Sequence, residues 1–119
     1  MKKITGIVLL AIIVLLTSCV QKVYKKTVLF EVDTKEVKNI YTVGIKGKDR
    51  PLSWKKDTAM TAVKKDTTYR MAITFNTGYK FTEVKFVIND GIEFENESNR
   101  KIIFADGDTT IYKGTFNKR

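Results

Sequence analysis

Histidine is absent from this chain, and cysteine, tryptophan and proline each occur once in 119 residues. Without histidine, the usual general base near neutral pH and the commonest metal ligand are both missing. Neither a Ser-His-Asp triad nor a Cys-His nucleophile can be assembled. One cysteine forms no internal disulfide and, with no histidine beside it, no structural zinc site. At roughly 100 to 200 residues per domain, the length matches one domain of modest core and leaves no room for a two-domain enzyme. No cofactor is expected.

The longest apolar run, Ile4 to Leu16 (ITGIVLLAIIVLL), follows the basic start Met1-Lys2-Lys3. As a helix it would reach about 20 Å at about 1.5 Å per residue, short of a hydrocarbon core of about 30 Å. It therefore reads as a secretory signal, the alternative being an uncleaved helix or a buried apolar strand. An A-x-A site would mark ordinary secretion. Leu16-Thr17-Ser18-Cys19 instead resembles the bacterial lipobox, in which the Cys thiol is alkylated by diacylglycerol and becomes the first mature residue. The resemblance implies a lipoprotein signal peptide over 1–18, lipidation at Cys19 and a tether over 19–26. Acyl chains bind bilayers at about 0.8 kcal/mol per buried methylene, so two or three of them hold a protein durably without its spanning the membrane. Val20 stands where an Asp would favour inner-membrane retention in enteric-type bacteria, so the expected location is the bacterial cell envelope, at the outer membrane.

Removing residues 1–18 takes away Lys2 and Lys3 and no acid, leaving 20 basic and 13 acidic side chains and a net charge of +7 over 101 residues. Export argues against nucleic acid as the partner of this surplus. The lysines come in scattered pairs, Lys25-Lys26, Lys55-Lys56 and Lys64-Lys65, as solvated strand faces do. The surplus also favours proximity to anionic lipid headgroups.

Beyond the tether the apolar residues alternate with polar ones. Val28, Phe30 and Val32 share one face of 27–33, Tyr41, Val43 and Ile45 one face of 39–46, and Tyr69, Met71, Ile73 and Phe75 one face of 68–76. Val84, Phe86 and Ile88 do the same in 81–89, and further strands are expected over 92–95, 101–105 and 109–116, with a short extra one near Ala59, Met60 and Val63. Period two marks half-buried strands. Asn89-Asp90-Gly91, Asn96 to Arg100 and Asp106-Gly107-Asp108 supply turn chemistry between them. No helical periodicity, repeat or low-complexity tract competes. The expected fold is all-β, an immunoglobulin-like antiparallel β-sandwich of seven to eight strands over residues 27–117.

The order Asn39-Ile40-Tyr41-Thr42-Val43-Gly44, Trp54 after a loop, Ala59-Met60, Glu83-Val84-Lys85-Phe86-Val87 and Phe94-Glu95-Asn96-Glu97-Ser98-Asn99-Arg100 resembles the starch-binding modules of carbohydrate-binding module family twenty and their glycogen-binding relatives. The resemblance covers roughly Val28 to Phe104. It implies non-catalytic binding of an α-glucan or related glycan. Trp54 would be a stacking plate, Phe94 would stand where the family has its second tryptophan, followed by Glu95, and Lys85 and Asn99 would bond sugar hydroxyls. The family's second site depends on tyrosines in loops that here carry Lys35-Glu36 and Lys64-Lys65, and it is not transferred.

Sugar rings present apolar C–H faces, so a binding surface needs exposed aromatic plates with polar groups at their edges. Each candidate also has a plainer role: Trp54 or Phe94 in the core, Lys85 as a solvated charge, Asn99 as a turn cap, and Glu95 paired with Arg100. Glu93 and Glu95 would lie about 6.8 Å apart at their Cα atoms along a strand, a spacing glycoside hydrolysis could use. A small sandwich offers no deep cleft to raise one carboxyl, and the polar face of an edge strand describes them equally. Asp106-Gly107-Asp108 and Asn89-Asp90-Gly91 lack the ligand series of a calcium loop. The expected partners are thus a glycan and the membrane, through the lipid anchor. The alternative is an envelope protein partner, for a lipoprotein that keeps the fold without sugar binding. Exposed, adjacent Trp54 and Phe94 would favour the glycan.

Overall fold

The structure is a computed structural model that describes residues 22–119. The expected signal peptide, Cys19 and the first part of the tether lie outside the described residues. Nine strands run in chain order: β1 (Tyr24–Asp33), β2 (Val43–Gly47), β3 (Thr58–Ala59), β4 (Thr61–Lys64), β5 (Thr68–Thr77), β6 (Phe81–Ile88), β7 (Gly91–Ile92), β8 (Arg100–Ile103) and β9 (Thr109–Thr115). They form a sheet of order β4-β5-β1-β9 and a second of order β3-β2-β6-β7, with β8 also paired to β6. The expected immunoglobulin-like sandwich is what forms, with nine strands in place of seven to eight because the segment of the one short extra strand supplies two, β3 and β4, one to each sheet. Among the described residues no helix is long and apolar enough to cross a membrane.

The alternation sets the core. Val28, Phe30 and Val32 of β1, Tyr69, Ile73 and Phe75 of β5, and Val84, Phe86 and Ile88 of β6 are all buried between the sheets. Phe30 meets Phe86 edge-on across them at 6.4 Å, and Phe75 meets Phe104 at 5.7 Å, separations typical of favourable aromatic pairs. Ile73→Ala should therefore cost about 2–5 kcal/mol as a large-to-small core change. Thr74→Ala, which loses only an exposed hydroxyl pair with Thr27, should stay below about 1 kcal/mol. A reversed ranking in urea melts would contradict the inward face assigned to β5.

Several boundaries differ from expectation for visible reasons. Strand pairing starts at Tyr24, opposite Thr77, so the domain takes in part of what reads as tether. At the other end, Lys118 O accepts from Arg100 and Arg119 donates to Ser98, carrying the domain past residue 117. The strand expected from Asn39 starts only at Val43, because Asn89 Oδ1 accepts from the Tyr41 and Thr42 amides and its Nδ2 donates to Asn39 O. A side chain replaces the ladder there, and Tyr41 is 85% exposed instead of inward. The strand expected over 92–95 ends at Ile92, since Phe94 takes a left-handed φ of 48°. β9 runs parallel to β1, a pairing that alternation alone does not specify. The β6–β7 turn is as expected: Ile88 pairs with Gly91, and Asn89 and Asp90 both have positive φ, the two-residue hairpin geometry that Asn and Asp favour.

Candidate functional site

The five residues proposed for glycan contact fall in two places. Phe94 is 5% exposed and is no surface plate. Two guanidinium groups lie against its ring, that of Arg100 at 4.9 Å and that of Arg119 at 4.1 Å. Its amide donates to Asn117 Oδ1 and its carbonyl accepts from the Glu97 amide. Lys85 sits on the outer face of β6, as alternation requires, but the 93–99 segment covers it. Its Nζ donates to Phe94 O and Glu97 O, both at 2.8 Å, so it is neither a solvated charge nor a free sugar contact. Asn99 is half-buried, with Nδ2 3.5 Å from Glu83 Oε1, and Glu95 is exposed.

These placements follow from a buried ion pair. Glu93 is 1% exposed, not on the polar face of an edge strand, and Arg100 pairs with it and not with Glu95. Arg100 Nε donates to Glu93 Oε2 at 2.7 Å and Nη2 to Oε1 at 2.8 Å, the two-pronged geometry that makes Arg–carboxylate pairs strong. Glu93 accepts two further bonds, from the Phe86 and Asn117 amides, and Arg100 reaches Tyr112 Oη, Thr115 O and Lys118 O. Burial works against the Arg100 charge, but the hydrogen bonds and attraction of Glu93 and Tyr112 outweigh it, and the guanidinium pKa is raised. The signal in the sequence was a lone acid between Ile92 and Phe94, a position where an unpaired carboxylate is costly. Among the described residues no group of three or more His, Cys, Asp or Glu is placed to hold a metal ion.

Trp54 lies elsewhere. It is 38% exposed on the β2–β3 connection and lines a groove of about 960 Å³ together with Lys48, Arg50, Ser53, Thr74 and Asn76. The loop that carries it is held at several points. Leu52 plugs into the core, its amide donating to Asp49 O, and Asp49 Oδ2 accepts from Thr82 Oγ1 at 2.7 Å. Ser53 Oγ accepts from the Lys55 amide, and Ser53 O accepts from Gly47. Gly47 leaves room for this plug, since a Cβ there would come within 2.7 Å of Leu52 Cδ1 and 3.1 Å of Glu83 O and would push Leu52 aside. The far wall of the groove is the C-terminal half of β5, beyond the reach of β4, which pairs only with Thr68 to Arg70. The result is one aromatic plate with hydroxyl, amide and cationic groups around it. No protein-family profile matches the chain, and no curated protein matches it.

Proposed function

We propose that the domain is a non-catalytic glycan-binding module of the bacterial cell envelope, held at the membrane by acyl chains on Cys19, that takes an α-glucan or related chain in the Trp54 groove. The observation that carries this reading is the groove: a partly exposed tryptophan on a pinned loop, bordered by Ser53, Thr74 and Asn76. An aromatic face with polar groups at its edge suits a sugar ring. The commitment of Glu93 to Arg100 further supports a binding role over glycoside hydrolysis, because it removes one member of the carboxylate pair.

A second reading, an envelope protein partner, is favoured because Phe94 is buried and apart from Trp54, the reverse of the exposed, adjacent pair that would favour the glycan, and because Lys85 is buried too, which leaves a single plate. It is favoured too by Ala72, Leu29 and Ile111, which share one register row across β5, β1 and β9, all exposed. One measurement separates the two. With one plate, binding to maltooligosaccharide should be weak, with Kd on the order of 0.1–1 mM. Since Trp54 is the only tryptophan, its fluorescence reports on the groove directly. Trp54→Ala should abolish binding while costing well below the about 3–5 kcal/mol of a buried Trp. No fluorescence response in the wild type, together with a large stability loss in the variant, would reject the glycan and leave the protein partner.

A further inference from the structure

The chain enters the sandwich at one end, and the ladders show what else lies there. Tyr24 pairs with Thr77 and Lys25 with Asn76, so the start of β1 sits beside the β5–β6 turn that carries Tyr79 and Lys80. Lys26 Nζ donates to the carbonyls of Ala105, Asp106 and Gly107, which brings the β8–β9 loop to the same end. Tyr24, Tyr79, Lys80 and Ile103 line one groove there. Tyr24 is 55% exposed, Tyr79 62% and Ile103 68%. Lys48 joins them from the β2–β3 loop, its Nζ 5.9 Å from the Tyr79 ring centre.

The cations of this end are weakly opposed. Among the described residues Lys22, Lys25, Lys48 and Lys80 are exposed and none has a carboxylate within ion-pair distance, the pairs of this domain being formed by other residues. The acids nearby are Asp106 and Asp108 in the β8–β9 loop, and Asp49, which already accepts from Thr82. At the opposite end, the β1–β2, β4–β5 and β6–β7 connections carry exposed Glu36, Asp66 and Asp90, and Glu36 is paired to Lys118.

We infer that this end is a docking surface for the anionic headgroup region of the bilayer that holds the anchor. The inference rests on acylation of Cys19. From Cys19 to Tyr24 is five residues, which reach no more than about 18 Å fully extended, so the end with Tyr24 cannot leave the neighbourhood of the bilayer. Exposed tyrosines and an isoleucine ringed by lysines match the interface, where aromatic rings sit at headgroup level and lysine stems lie along apolar surface with their charges in water. Lysines this close to an anionic leaflet are attracted to it, and the attraction is screened by salt. The Trp54 groove adjoins this end, sharing Lys48 with it beside Thr74 and Asn76, and the Asp90 end points away.

The test uses the full-length chain acylated in a bacterial host and reconstituted in phosphatidylcholine vesicles with or without phosphatidylglycerol. Acylation consumes the only native thiol, so a single fluorophore can be placed at Ala105→Cys, at the docking end, or at Tyr41→Cys, at the other. Quenching by headgroup-nitroxide lipid should be about fivefold stronger at Ala105→Cys in the anionic vesicles, and the difference should shrink in high salt and in a Lys25→Glu, Lys80→Glu background. Equal quenching at both positions in anionic vesicles, or stronger quenching at Tyr41→Cys, would overturn the docking surface while leaving the anchor intact. A mature protein without the acyl mass would overturn the anchor, and this inference with it.

Discussion

Arg100→Ala is expected to lower the unfolding free energy by about 3–5 kcal/mol, the range for breaking a buried ion pair by removing one partner. The substitution would leave the Glu93 carboxylate buried with only the Phe86 and Asn117 amides to serve it. It would also take a donor from Lys118 O and from Thr115 O, which keeps the Lys118 amide, and remove one of the two guanidinium groups against Phe94. The comparison that isolates burial is Arg70→Ala. Arg70 makes an equally short bond to Glu31, 2.6 Å, but from an exposed position, and should cost no more than about 1 kcal/mol. Replacing Glu93 and Arg100 together by Leu and Met should recover part of the loss, because no charge is then left unpaired. Recovery stays incomplete because the two amides still lose their acceptor. Since the Arg100 pKa is raised on folding, its contribution is fully present below the unfolded guanidinium range and is lost only as pH rises through the folded value. The gap between wild type and Arg100→Ala should thus not narrow from alkaline titration of Arg100 up to about pH 10. If urea melts give Arg100→Ala and Arg70→Ala similar small costs, the ion pair does not hold this end together.

The same cluster shows what a sequence of this kind reveals and what it hides. Val28, Phe30 and Val32, or Ile73 and Phe75, are legible because a strand with one buried face must alternate. The Asn89-Asp90 turn is legible because its backbone conformation favours those residue types. Glu93 and Lys85 were not legible, and of Phe94 only its core alternative was. Their roles depend on the 93–99 segment folding back over β6 and on the C-terminal residues closing over both, which are tertiary events that no local period records. Alternation put Lys85 on the outer face correctly. It could not say that carbonyl oxygens would cover that face. Tyr41 fails for a related reason, as one asparagine side chain outcompetes the ladder. In the candidate site, Trp54 survives as the exposed aromatic because its loop is fixed by Leu52 and Asp49. Phe94, matched by motif to the second plate, is buried beside the ion pair that Arg100 of the same motif makes with Glu93, one residue outside it.

Cys19→Ala should abolish membrane attachment of the cleaved, mature protein. If the lipobox reading holds, the thioether at Cys19 is the durable link once the apolar segment Ile4 to Leu16 has been cleaved away. At about 0.8 kcal/mol per buried methylene, two acyl chains outweigh every other membrane contact of the domain. The docking end proposed above adds only about 1 kcal/mol per lysine near an anionic surface, and a high-salt wash removes it. After such a wash the wild type should stay with the membranes. The variant should be found either as a soluble exported protein or as a longer precursor held by its uncleaved apolar run, and intact mass distinguishes the two. Cleaved Cys19→Ala that still resists the wash would mean that something other than acyl chains holds the protein. In that case the short tether, and the orientation inferred from it, would have no basis.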